Sequence, residues 1–172
     1  MGLLDNKVAI VTGASSPLGL GKAVADRLAA QGARVALTDL ASAREGLDAN
    51  VGQIVAGGGE AMALSLDMMQ AGATDVVVAQ VVERFGGVDI LVNNAGVGLG
   101  SPVLDNNDDK DWAVSYGVHV TGALALCRSV LPHFEAAGSG AIVNVASTAG
   151  IGASVGMPYP YVATKHALVG AT

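Results

Sequence analysis

The sequence predicts an α/β protein built on a doubly wound parallel sheet. Three observations carry that expectation. Short apolar runs of strand length alternate with longer segments of helical period. The short runs are almost continuously apolar, as strands covered on both faces are. Glycine makes up 24 of the 172 residues and gathers in the connections, where a chain must turn tightly or approach a ligand closely. The length fits one domain, residues 1–172, large enough to bury a substantial core.

Each element follows in order. Residues 7–11 (KVAIV) form a first strand, and a Gly/Ser loop follows. Residues 22–31 place Ala23, Val24, Leu28 and Ala29 on one side of a helix, with Asp26 and Arg27 interleaved. Gly32 ends that helix. Residues 34–39 (RVALTD) form a second strand, and a helix over 43–55 stops at Gly57-Gly58-Gly59. Residues 61–67 (AMALSLD) form a third strand. Residues 74–85 are rich in valine, but their length and the Gly86-Gly87 pair behind them favour a helix. Residues 88–93 (VDILVN) form a fourth strand. A long helical stretch covers 108–137, with Pro132 as the place for a bend. Residues 141–146 (AIVNVA) form a fifth strand, and 159–172 return to helical spacing.

Charge and composition narrow the function classes. The formal net charge is −6, and no Lys/Arg cluster is present. The electrostatic footprint of a nucleic-acid binder is therefore missing. A single cysteine, Cys127, allows no intrachain disulfide, which points to a reducing, cytoplasmic compartment. The first residues lack a basic region and a cleavage site, so they do not resemble a signal peptide. Asn6 breaks the myristoylation pattern that Gly2 begins. No apolar run reaches membrane-spanning length. Neither nucleic acid nor membrane is an expected partner. Asp105, Asn107 and Asp109 imitate the start of a calcium loop. Lys110 stands where the sharp-turn glycine belongs, and no glutamate closes the loop. No metal is expected, and the acidic run reads as a solvated loop beside a helix N-terminus.

The segment from Thr12 to Gly21 (TGASSPLGLG) lies between the first strand and the first helix. Glycines there let the backbone turn and leave room for a pyrophosphate over the helix N-terminus. Asp39 falls twenty residues after Gly19, at the end of the second strand. A carboxylate at that place accepts both hydroxyls of an adenosine ribose and repels a 2′-phosphate. No Lys or Arg stands in the loop or directly after Asp39. The expected cofactor is therefore NAD rather than NADP.

With these residues in order, the chain resembles the short-chain dehydrogenase/reductase family, single-domain type. The matching motifs are Thr12-Gly13 with Gly19-Leu20-Gly21, Asp67, Asn93-Asn94-Ala95-Gly96, Ser147, and Tyr161-Val162-Ala163-Thr164-Lys165. The resemblance runs from about residue 7 to residue 172. It implies a Rossmann-like sheet and a secondary alcohol/ketone substrate. Cofactor contacts are implied for Gly13, Ser15, Ser16, Gly19, Leu20, Gly21, Asp39, Leu40, Asp67, Met68, Asn94, Ala95 and Gly96. Tyr161 is implied as general acid/base, Lys165 as its partner and a ligand of the nicotinamide ribose, and Ser147 as a hydrogen-bond partner of the substrate oxygen. Tyr161 and Lys165 are four residues apart, so on a helix they share one face. That spacing has a chemical use. A phenol ordinarily loses its proton near pH 10, so a tyrosine that exchanges protons near neutrality needs positive charge beside it.

The chain departs from the family pattern in three places. Residues 14–18 put five residues before Gly19-Leu20-Gly21, two more than usual. His119 stands where many members carry a catalytic Asn, and two readings of it stay open: a proton relay, or a packed helix histidine. Members are usually longer, so the last strands of the family fold are expected to be missing from this sequence, with 141–146 left as an exposed edge. The expected function is reversible oxidation of a secondary alcohol, in a homo-oligomer when full length. A catalytically inactive dinucleotide-binding module is the alternative.

Overall fold

The computed structural model describes residues 2–103, 107–153 and 155–172. Asp105 lies outside the described residues. Five strands form one parallel sheet in the order β3-β2-β1-β4-β5. The strands are β1 (Val8–Thr12), β2 (Arg34–Asp39), β3 (Ala61–Ser65), β4 (Ile90–Asn93) and β5 (Ala141–Asn144). Val8 pairs with Arg34 across β1–β2, Ala9 with Ile90 across β1–β4, and Ile90 with Ala141 across β4–β5. The helices are α1 (Leu20–Ala30), α2 (Arg44–Ala56), α3 (Ala73–Phe85), α4 (Asp109–Tyr116), α5 (Ala123–Ala137) and α6 (Tyr159–Gly170). The predicted doubly wound α/β architecture is the observed one.

Alternation along β1 divides the core between the two faces of the sheet. Val8 and Ile10 join Leu91 on one face, packed by Val77, Val81 and Phe85 of α3 and by Leu126, Val130 and Phe134 of α5. Ala9 and Val11 join Val35 and Leu37 on the other, packed by Ala25 of α1 and by Leu47 and Ile54 of α2. Both faces of β1 are covered, which is why its residues from Val8 to Val11 are all apolar.

Several boundaries differ from the sequence expectation. The first helix begins at Leu20 rather than at residue 22, because Gly19 takes an extended N-cap conformation. The third strand stops at Ser65 and the fifth at Asn144, where their neighbours' ladders end. The fourth strand starts at Ile90, where pairing to Ala9 and Ala141 begins. The stretch 109–137 is continuous helix, but its irregularity is a π-helical segment, Gly117–Gly122, and α5 runs through Pro132. This 29-residue helix has the length and mean hydropathy of a membrane span. Leu126, Val130 and Phe134 nevertheless lie in the core against the sheet and α3, as they do in the core helix of a globular domain. At its start, the Asp108 carboxylate accepts the Asp111 amide at 2.8 Å, with Asp109 and Asp111 in the first turn. Carboxylates here suit the positive end of the helix dipole.

Candidate active site

The strand order places β1 and β4 side by side, with their following helices on opposite faces of the sheet. A crevice opens at such a switch point, beyond the carboxyl ends of the strands. Side chains of this sequence clamp it. The Thr12 hydroxyl accepts the amides of Asn94 (3.0 Å) and Ala95 (2.8 Å). The Asn94 side-chain amide donates to the carbonyls of Thr12 (2.8 Å) and Gly13 (3.0 Å).

Two glycines make the close approaches possible. Gly13 has φ +66°, and a Cβ there would lie 2.8 Å from the Ala95 Cα. A Cβ on Gly21 would lie 2.5 Å from the Gly13 carbonyl and 2.6 Å from the Asn94 amide nitrogen. The N-terminus of α1 therefore sits against the crevice. Its N-cap, Gly19, offers no side-chain bond, and its first turn carries no acidic residue. The free amides of that turn suit an anion.

A cleft of about 640 Å³ occupies this end of the sheet. Of the residues singled out from the sequence, Gly13, Leu20, Asp39, Leu40, Asp67, Met68, Asn94, Ala95, Gly96, Tyr161 and Lys165 all line it. The Asp39 carboxylate is fixed by two amides, from Ser15 at 3.1 Å and Leu40 at 2.9 Å. Asp67 accepts the Met69 amide on one oxygen at 2.9 Å. Ser15, Ser16, Gly19 and Gly21 shape the loop around the cleft without forming its lining.

At the other end of the cleft, α6 presents Tyr161 and Lys165 one turn apart. Lys165 is 4% exposed, and its ammonium donates to the Val145 carbonyl at 2.8 Å. It lies 5.8 Å from the centre of the Tyr161 ring. Burial lowers the Lys165 pKa from its ordinary value. The short turn Thr148–Gly150 packs under α6, since a Cβ on Gly150 would sit 2.7 Å from the Lys165 carbonyl. Ser147 caps this turn, its hydroxyl oxygen accepting the Ala149 amide at 3.1 Å. That bond leaves the Ser147 hydrogen free to donate. Ser147 stands beside the lining residue Ala146 rather than in the lining itself.

His119 is 1% exposed, within the π-helical segment. The Val97 amide donates to its Nε2 at 2.9 Å. Nε2 is therefore the acceptor, so the neutral ring carries its proton on Nδ1. Nδ1 lies 2.8 Å from the Thr164 hydroxyl, which in turn donates to the Pro160 carbonyl at 2.8 Å. Burial, and secondarily the Lys165 charge, lower the His119 pKa from 6.5 to about 4. The ring stands edge-on to Tyr161 at 5.7 Å. Both ring nitrogens are thus engaged within the protein, and the histidine ties the chain after β4 to α6.

Three contributors escaped the sequence reading. Val97 and Thr164 hold His119, and Asn50 of α2 holds the glycine loop. Only Asn50 left a signal. It interrupts the buried stripe formed by Leu47 and Ile54 with a polar side chain that is 1% exposed, and a buried amide needs partners.

A parallel sheet with a glycine-cradled crevice at its switch point defines a nucleotide-binding α/β protein. The comparisons narrow this class. The family model for short chain dehydrogenases matches residues 7–172, and the chain belongs to that family. It is 38% identical to the meso-2,3-butanediol dehydrogenase of Serratia marcescens, over 98% of this chain and 63% of that protein. Among solved structures, it superposes with a TM-score of 0.89 on a metagenomic short-chain oxidoreductase in complex with NADP. The two share 36% identity, over 98% of this chain and 74% of the other. It also superposes with a TM-score of 0.90 on a short-chain dehydrogenase/reductase from Burkholderia phymatum in complex with NAD, at 34% identity over 99% of this chain and 59% of the other. The chain spans about three-fifths of the length of that butanediol dehydrogenase and of a D-threitol dehydrogenase from Mycolicibacterium smegmatis that it also matches.

Proposed function

We propose that this chain carries the cofactor-binding and catalytic residues of an NAD-preferring oxidoreductase that interconverts a secondary alcohol and a ketone. One observation carries the reading. A single cleft joins the glycine cradle and Asp39 at one end to Tyr161 and Lys165 at the other. The residues fit a nicotinamide dinucleotide. The Gly13–Gly21 approach leaves room for a pyrophosphate at α1, and the Asp39 carboxylate would accept the hydroxyls of the adenosine ribose.

When bound, the nicotinamide ring supplies the acceptor or donor of the hydride. The protein supplies position and proton transfer. In oxidation, the substrate carbon loses hydride while Tyr161 takes the hydroxyl proton. In reduction, Tyr161 returns that proton to the carbonyl oxygen. The Lys165 ammonium lies close enough to the Tyr161 ring to stabilise negative charge on the phenol oxygen, and it would hold the nicotinamide ribose when the cofactor is bound. Ser147 donates its free hydroxyl hydrogen to the substrate oxygen. His119 takes a positioning role, because both of its nitrogens are already used.

Titration with NADH and NADPH, followed by turnover on secondary alcohols, tests the reading. Tyr161→Phe is expected to leave NADH binding in place and to lower turnover by about a thousandfold. Unchanged turnover in that variant would remove Tyr161 as the acid/base. A biological activity that survives the loss of turnover would establish a binding-only module. Asp39→Ala is expected to lower the NADH-over-NADPH preference by about tenfold or more. An unchanged preference would overturn the NAD assignment.

A further inference from the structure

We infer that Asn50, on α2 and outside the cleft, is a positioning residue for cofactor discrimination: it sets the direction of the Asp39 carboxylate through a single peptide plane. This inference rests on the reading of Asp39 as the group that accepts the adenosine ribose.

The loop between β1 and α1 is long, and its tip is free. Leu18 is 98% exposed. Its first half is held from α2. The Asn50 side-chain amide donates to the Ala14 carbonyl at 2.8 Å and to the Ser15 carbonyl at 3.0 Å. Gly46, one turn earlier on the same helix, opens the bay that admits these carbonyls, since a Cβ there would lie 2.6 Å from the Ser15 oxygen. A side chain at position 46 would push the segment off α2.

Peptide geometry carries the effect further. The Ala14 carbonyl and the Ser15 amide belong to one planar trans unit and point in opposite directions. Turning the carbonyl toward Asn50 therefore turns the Ser15 N–H away from α2. That N–H donates to the Asp39 carboxylate at 3.1 Å. The Ala14 amide donates to the Thr38 carbonyl at 3.1 Å, pinning the other end of the segment to β2. Asn50 and Asp39 thus hold opposite edges of the same peptide. Without the two Asn50 donors, the plane is free to rotate and the carboxylate loses one of its two amide partners, keeping only Leu40. A carboxylate held on one oxygen alone turns more readily, binds a ribose diol less well and opposes a 2′-phosphate less sharply. NADH affinity should fall while NADPH affinity changes little.

The test compares NADH and NADPH dissociation constants, by fluorescence titration, for the unaltered chain, Asn50→Leu, Gly46→Ala and Asp39→Ala. Amide hydrogen exchange at Ser15 is measured in the cofactor-free protein. Asn50→Leu keeps the branched shape and the number of heavy atoms and removes the donors. It is expected to lower the NADH-over-NADPH preference by about tenfold and to speed exchange at Ser15. Gly46→Ala keeps the donors and displaces the Ser15 carbonyl, so it is expected to shift the preference in the same direction. It serves as the test if Asn50→Leu fails to fold. A general loss of stability would lower the folded fraction without altering the ratio of the two constants. An unchanged ratio in folded Asn50→Leu, or in Gly46→Ala where the former does not fold, overturns the inference. So does an equal loss for both cofactors, which would assign Asn50 to loop order alone. In either case Asp39→Ala reports separately, and an unchanged ratio there overturns the ribose reading itself.

Discussion

β1 and β5 lie one strand apart, and both are apolar, yet they live in different environments. Every residue of β1 is buried, whereas Ala141, Ile142 and Val143 of β5 are exposed. β1 has a partner on each edge and helices over both faces. Among the described residues β5 pairs only with β4, and Ile142 and Val143 are 37% and 50% exposed. The contrast extends to the loops beyond the two strands. After β1, the chain is held by Asn94, Asn50 and the Asp39 carboxylate. After β5, the anchors are the Lys165–Val145 bond and the packing of Gly150 under α6. A strand's composition states what it tolerates, and its neighbours decide how much of it is buried.

Four measurements sharpen or break this comparison. The largest expected effect is at the centre. Ile10→Ala, at a site with no exposure, should cost about 3–4 kcal/mol in denaturant unfolding. Ile142→Ala at the edge should cost about 1 kcal/mol or less. Similar losses at the two sites would mean that β5 is as well packed as β1. Next is the buried tie between the chain after β4 and α6, the helix that packs over the turn beyond β5. His119 in the folded protein has its pKa lowered to about 4 from 6.5, so the unfolded chain takes up the proton first as pH falls. The stability this represents is complete above pH 6.5 and is lost progressively toward pH 4. It amounts to about 3 kcal/mol at most. His119→Gln should flatten the slope of unfolding free energy against pH across that window, and a slope that survives would assign the acid sensitivity elsewhere. The smallest effect is at the surface. Val143→Lys should change stability by about 0.5 kcal/mol or less while reducing self-association in sedimentation, because a charge on an edge strand discourages edge pairing. Unaltered association would show that the edge is not the contact.

Much of this site was legible in the sequence because its rules are local. Tyr161 and Lys165 share a helix face through four-residue spacing, and Gly13 allows a turn with positive φ. The position of Asp39 at the end of β2 follows from counting along one strand–helix–strand unit. Ser147 shows where local reasoning stops. The strand end that it follows was readable, but the turn that draws its hydroxyl toward Ala149 was not.

The sequence alone determined the parallel α/β class, the order of the elements, the glycine cradle and the pairing of Tyr161 with Lys165. Each of these rests on backbone geometry repeated over a few residues. Only the tertiary structure decided that His119 bonds Val97 and Thr164, 22 and 45 residues away, and that Asn50 reaches Ala14 across 36. It also decided how far the expected edge strand is covered, leaving Ile142 and Val143 of β5 37% and 50% exposed. Hydrogen-bond partners at such separations are chosen by how helices pack across the sheet, and no periodicity along the chain encodes that distance.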